Sequence, residues 1–170
     1  MDIPAGTVDW PIRLQFCSFP TIADGLIEWF TQGNVGHVDA VLPDGSLLGS
    51  QSSACGGKPA GVQIRPAGYD GLRDPVIVEF PGAFPQVLRS NFWGFLRLQI
   101  GKPYDMEAIR AFVAGRDWRA EDSWFCSELI AAALEGAYVF PARTLWAACN
   151  KITPEALLLA CSVIVTPRAG

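Results

Sequence analysis

The sequence predicts an α+β fold, with a mostly antiparallel sheet from the first half of the chain covered by helices from the second half. Two observations predict it. Up to Phe80 the apolar residues come in short alternating runs separated by Pro, Gly and Asp, and from Pro85 onward they recur at helical spacing. Size sets the third bound: 170 residues, 50% of them hydrophobic, fit a single domain over 1–170 with a substantial core.

In chain order, residues 7–19 (TVDWPIRLQFCSF) alternate around Ile12, Leu14 and Phe16, which predicts a strand entered at Pro11 and ending near Cys17. Residues 21–31 carry apolar side chains at 22, 26, 27, 29 and 30, the spacing of a short helix closed by Gly33, although Gly25 interrupts it. Gly36-His37-Val38-Asp39-Ala40-Val41-Leu42 then meets Pro43-Asp44-Gly45 and resumes as Ser46 to Gln51, the pattern of a β-hairpin. Residues 52–61 (SSACGGKPAG) read as an exposed loop, and Val62–Arg65 and Val76–Phe80 as further strands.

Val87, Leu88, Phe92, Phe95, Leu96 and Ile100 predict a helix with Pro85 at its start and Gly101 at its stop. A second helix is expected over Met106–Ala114 with Asp105 as cap, then a polar loop over Gly115–Asp122. The next helix begins near Cys126, with Cys126, Leu129, Ile130, Ala133 and Leu134 on one face and Asp122 or Ser123 as cap. Pro141–Asn150 reads as a short helix, and Thr153-Pro154-Glu155 starts another over 154–160. Val163-Ile164-Val165 is expected to finish as a strand.

Bulk charge narrows the function classes. A net charge of -4, with 13 basic residues that form no run, leaves no electrostatic footprint for nucleic acid. The start, Met1-Asp2-Ile3-Pro4, lacks the basic segment and apolar core of a secretory signal, so the chain is expected in the cytoplasm as synthesised. The apolar run Ala156–Val165 is about half the length that a membrane span requires, so no integral membrane segment is expected. Cysteines at 17, 55, 126, 149 and 161 make no C-x-x-C pair, so reduced thiols are expected, with neither disulfide framework nor metal site, and no cofactor.

Chemistry centres on Trp124-Phe125-Cys126-Ser127-Glu128-Leu129-Ile130, where a cysteine meets the first turn of a helix. Unpaired N–H groups and the positive end of the helix dipole favour a thiolate there, which makes Cys126 a candidate nucleophile. The chain has one histidine, His37, so an imidazole base has no other source. Taken singly, Cys126 reads more readily as a small buried apolar residue, and His37 equally as a solvated residue at a hairpin end. Cys55, in Ala54-Cys55-Gly56-Gly57, is the rival thiol, but no helix start is predicted beside it.

Strand-borne Gly-His-Val-Asp-Ala-Val, a second strand ending in a polar residue, Gly101-Lys102-Pro103-Tyr104-Asp105, and Phe125-Cys126-Ser127-Glu128-Leu129 together resemble a known family. It is the circularly permuted NlpC-type papain-fold cysteine peptidases, the YiiX/YebB-like group, in which histidine precedes cysteine. The resemblance implies a permuted papain-like fold, built on a mostly antiparallel sheet or partial barrel. It implies a hydrolase of amides or esters in cell-wall peptides or lipid-linked amides, which a phage or secretion system would have to deliver to a wall. It implies Cys126 as nucleophile, His37 as base and later acid, and a third polar residue on the strand after that of His37. In relatives that residue is expected to be acidic, and here Gln51-Ser52 holds the matching place.

Gln51 can accept the imidazole N–H through its amide oxygen but brings no negative charge, which keeps open a catalytically weak binding or assembly protein. Register decides among three candidates. A three-residue turn places Gln51 opposite His37, a two-residue turn places Ser50 and Ser52 there, and Asp39 shares the strand face of His37. Tyr104 and Asp105 read either as a capped turn or as a substrate contact.

Overall fold

The computed structural model describes residues 2–6, 8–18, 35–69, 71, 73–82, 84–106, 123–140 and 152–165. Five strands, β1 (Arg13–Ser18), β2 (His37–Val41), β3 (Leu47–Gln51), β4 (Gly61–Arg65) and β5 (Arg73–Glu79), form one sheet in the order β4-β3-β2-β1-β5. Every neighbouring pair is antiparallel, and β4 and β5 lie at its two edges. Among the described residues the sheet is not closed.

Alternation assigns the sheet faces. Leu14 pairs with Ala40 and Val78, Phe16 with Val38, and Ala40 with Leu48, so these side chains share one face. That face belongs to the core cluster with Phe92, Trp93, Leu96, Leu129 and Leu134 from the helices. Every residue of the inner strands β2 and β3 is buried, including the polar ones. The polar side chains of the sheet interior are therefore committed to specific partners or they would cost several kcal/mol of desolvation.

The hairpin between β2 and β3 closes as the turn residues dictate. Leu42 N–H donates to the Ser46 carbonyl at 2.8 Å across a three-residue Pro43-Asp44-Gly45 turn, with Gly45 in the left-handed region at φ +83°. Asp44 Oδ1 accepts the Ser46 backbone N–H at 3.0 Å and its hydroxyl at 2.5 Å, fixing the turn. Ala40 faces Leu48 and Val41 faces Leu47, and beyond Ala40 the Asp39 carboxylate lies against Gly49.

Helix α1 (Gln86–Gln99) follows Pro85, which takes the N-cap position, and ends at Ile100 before Gly101 at φ +91°. The chain then runs along the outer edge of β4: Val62 N–H donates to the Lys102 carbonyl at 2.9 Å and Gly101 N–H to the Val62 carbonyl at 2.8 Å. Gly61 permits this approach, since a Cβ there would lie 2.3 Å from the Lys102 carbonyl oxygen. Tyr104 and Trp124 form a parallel bridge that delivers the chain to α2 (Cys126–Gly136). Helix α2 packs on α1, β2 and β3, and α3 (Pro154–Val165) packs on α2 and β5.

Three local expectations are corrected. Val163–Val165 is not a strand, because α3 continues through it; with no turn signal after residue 160, packing against α2 and β5 outweighs the β-branched preference. The N-cap residue of α2 is Phe125, which makes no side-chain capping bond, and not Ser123; Asp122, the other expected cap, lies outside the described residues. Pro85 stands one position before the helix proper instead of inside its first turn. Thr153 does cap α3, its hydroxyl accepting the Ala156 N–H at 3.1 Å. The expected helices over 21–31, 107–114 and 141–150 and the loop over 115–122 lie outside the described residues. No helix among the described residues is long and apolar enough to cross a membrane.

Candidate active site

The site forms where the start of β2 meets the start of α2. His37 is the first residue of β2 and Cys126 the first of α2, and the packing of α2 on β2 and β3 sets Cys126 near enough to the imidazole to help hold its proton. Both side chains are buried, each with 2% of its surface exposed. Ser50 sets the join. Its hydroxyl donates to the Trp124 carbonyl at 2.6 Å, tying β3 to the chain just before the cysteine. The Trp124 indole N–H donates to Gln99 Oε1 at 3.0 Å, which fixes the same residue to the end of α1.

Behind the ring lies a buried polar network. Asp39 Oδ1 stands 3.0 Å from His37 Nε2, an ion-pair contact within one strand. The Tyr69 hydroxyl donates to Asp39 Oδ2 at 3.0 Å and lies 3.3 Å from the same Nε2. Gln51 Nε2 donates to the Tyr69 hydroxyl at 2.9 Å. Arg65, itself buried, spans the Gly49, Pro59 and Gly61 carbonyls at 3.3, 2.8 and 3.1 Å and holds its guanidinium 5.4 Å from the Tyr69 ring centroid.

The three candidates for the third position thus receive three different places. The turn has the three-residue form, yet Gln51 reaches the imidazole through Tyr69, with its amide nitrogen donating and not its oxygen accepting. Ser50 holds the Trp124 carbonyl. Asp39 is the residue in contact with the ring, so the negative charge that Gln51 could not supply comes from the histidine's own strand. Tyr69 carries no pattern signal in the sequence: it sits in a turn after β4, where neither strand nor helix periodicity constrains it.

Electrostatics follow from this packing. Burial alone would push the His37 imidazole toward its neutral form, but the Asp39 carboxylate outweighs it, with a smaller contribution from Cys126, and holds the pKa well above 6.5. Cys161 shows the opposite case. Buried in α3 without a charged partner, its thiol is pushed up to about 12. Cys55 lies in the glycine-rich loop, in a bridge with Lys58, its thiol against the Ser53 carbonyl at 3.6 Å.

No family model matches the chain, and no curated protein matches it. The resemblance to permuted papain-fold peptidases therefore rests on the chain's own residues. Among the described residues no group of three or more His, Cys, Asp and Glu side chains is arranged to hold a metal ion. Thiol, imidazole and carboxylate in sequence make up the elements of nucleophilic catalysis, with the base oriented by a third group.

Proposed function

We propose that the chain is a thiol hydrolase of permuted papain-like architecture, cleaving an amide or ester bond through an acyl-enzyme on Cys126. One observation carries this reading: the chain's one histidine lies where a cysteine at the first residue of a helix influences its charge, and it has a buried carboxylate at its Nε2. His37 takes the thiol proton, and the thiolate attacks the carbonyl carbon. The tetrahedral oxyanion is held by first-turn N–H groups of α2, which no side-chain cap at Phe125 occupies. The imidazolium then protonates the leaving amine or alcohol, and a water activated by His37 releases the acid. The order of the residues, histidine strand before cysteine helix, supports the permuted form. The substrate class that fits the resemblance is a cell-wall peptide or a lipid-linked amide or ester.

The near-complete burial of both members of the dyad favours a second reading, a papain-type fold kept for binding or assembly. Alkylation separates the two. At pH 6, where an ordinary thiol of pKa ~8.5 is under roughly 1% ionised, iodoacetamide should label Cys126 readily in the native protein and slowly in His37→Ala. Equal, slow labelling in both proteins would sink the hydrolase.

A further inference from the structure

The hydroxyl of Tyr69 faces three buried polar groups, and it has only one proton to give. That proton goes to Asp39 Oδ2 at 3.0 Å. Toward its other two neighbours the oxygen must accept: the Gln51 amide N–H at 2.9 Å, and His37 Nε2 at 3.3 Å. Asp39 Oδ1 stands 3.0 Å from Nε2 as an ion-pair contact without the alignment of a hydrogen bond, whereas Tyr69 makes a hydrogen bond at this nitrogen. Charge at the ring therefore comes from Asp39 and direction from Tyr69.

We propose that Tyr69 is a positioning residue that fixes the His37 tautomer, accepting the Nε2 proton so that Nδ1 is the nitrogen that takes the proton of Cys126. Proton balance is simple: one proton leaves Sγ and arrives at Nδ1, giving thiolate and imidazolium, while the Nε2 proton stays on the ring against the Tyr69 oxygen. The ring of Tyr69 is itself held from two sides. Arg65 lies over one side at 5.4 Å from the centroid, and Gly56, at φ +57°, backs the Tyr69 Cβ so closely that a Cβ of its own would lie 2.8 Å away. Such fixing suits a group whose role is orientation. Gln51, expected to touch the imidazole, becomes the residue that orients the hydroxyl.

This inference rests on the thiol-hydrolase reading of the site, and its test is built so that the two can fail separately. Because His37 is the chain's one histidine, imidazole ¹⁵N signals need no assignment. In Cys126→Ala, titrated until the ring is neutral, the proton should reside on Nε2; adding Tyr69→Phe should give a mixture of tautomers. In the protein with Cys126 intact, Tyr69→Phe should slow iodoacetamide labelling at pH 6 by at least about tenfold, the scale of losing a group that orients a reactive ligand. Should Tyr69→Phe fold poorly, 3,5-difluorotyrosine at position 69 preserves shape and changes only the hydroxyl; it should move both the ¹⁵N shifts and the labelling midpoint. Unchanged tautomer and unchanged labelling with either replacement overturn the role of Tyr69. Labelling that ignores His37→Ala overturns the hydrolase reading instead.

Discussion

The carboxylate of Asp39 occupies the space that a side chain at Gly49 would need: a Cβ built on Gly49 falls 1.7 Å from Asp39 Oδ1. Glycine in the interior of a strand weakens it, so its presence in the middle of a fully buried β3 marks a close approach. Gly49→Ala must displace the carboxylate from the ring. An acid moved by about 1 Å can cost on the order of 10²-fold in rate, so the alkylation rate of Cys126 at pH 6 should fall steeply while far-ultraviolet circular dichroism stays native. A Gly49→Ala protein that labels like the native one would show that Asp39 is not needed where it lies.

The charge of Asp39 also sets a pH dependence of stability. His37 in the folded protein holds its proton to well above 6.5, the value of the unfolded chain. The stabilisation this provides is complete below about pH 6.5 and is lost as pH rises through the folded-state pKa. Asp39→Asn removes the main raising cause, so the decline should be smaller and end at lower pH. Urea midpoints measured from about pH 6 upward check this; parallel curves for the two proteins would contradict it.

Ser50→Ala tests the tie between hairpin and nucleophile. The lost bond to the Trp124 carbonyl is buried, but that carbonyl keeps the Asp105 N–H at 3.2 Å, so the stability cost should be about 1 kcal/mol. Slower labelling of Cys126 at the same pH should accompany it, because the hydroxyl holds the chain two residues before the thiol. If the stability cost appears without a change in labelling, the tie serves the fold alone.

Thiol selectivity gives a test that needs no substitution. With limiting iodoacetamide at pH 6 and peptide mapping, Cys126 should carry the label ahead of Cys55, and Cys161, pushed up to about 12, should carry none until the protein is denatured. Preferential labelling of Cys55 would make the glycine-loop thiol the reactive one.

How far the site could be read from residues alone depends on the kind of constraint. Pro43-Asp44-Gly45 marked the turn but left two or three residues open, and the three-residue form is the one present, because turn chemistry acts over a few residues. The single histidine and the helix-opening cysteine named the pair by elimination. Asp39 was visible as a spare candidate, but its contact with the ring depends on the gap at Gly49, and the pattern of alternation is blind to a missing side chain on the facing strand. A glycine inside an otherwise apolar strand was the available signal. Tyr69 could not be found this way, since a turn residue's direction is set by tertiary packing on Arg65 and Gly56. At the C-terminal end, Val163-Ile164-Val165 looked like a strand and joined α3, where long-range packing decided against local preference.

His37 and Asp39 share one strand, two residues apart, while the thiol arrives from an element that follows after many more residues. The molecule's parts therefore come undone unequally. A transient opening of the sheet or lifting of α2 leaves His37 and Asp39 on the same short stretch of backbone and carries off only the sulfur. Such an opening disarms the site without dismantling its acid–base half, and reclosure has one partner to recover instead of two. Heat or mild denaturant should accordingly silence the thiol before the imidazole loses its neighbour, so the sulfur, not the ring, is the component on which the site's endurance turns.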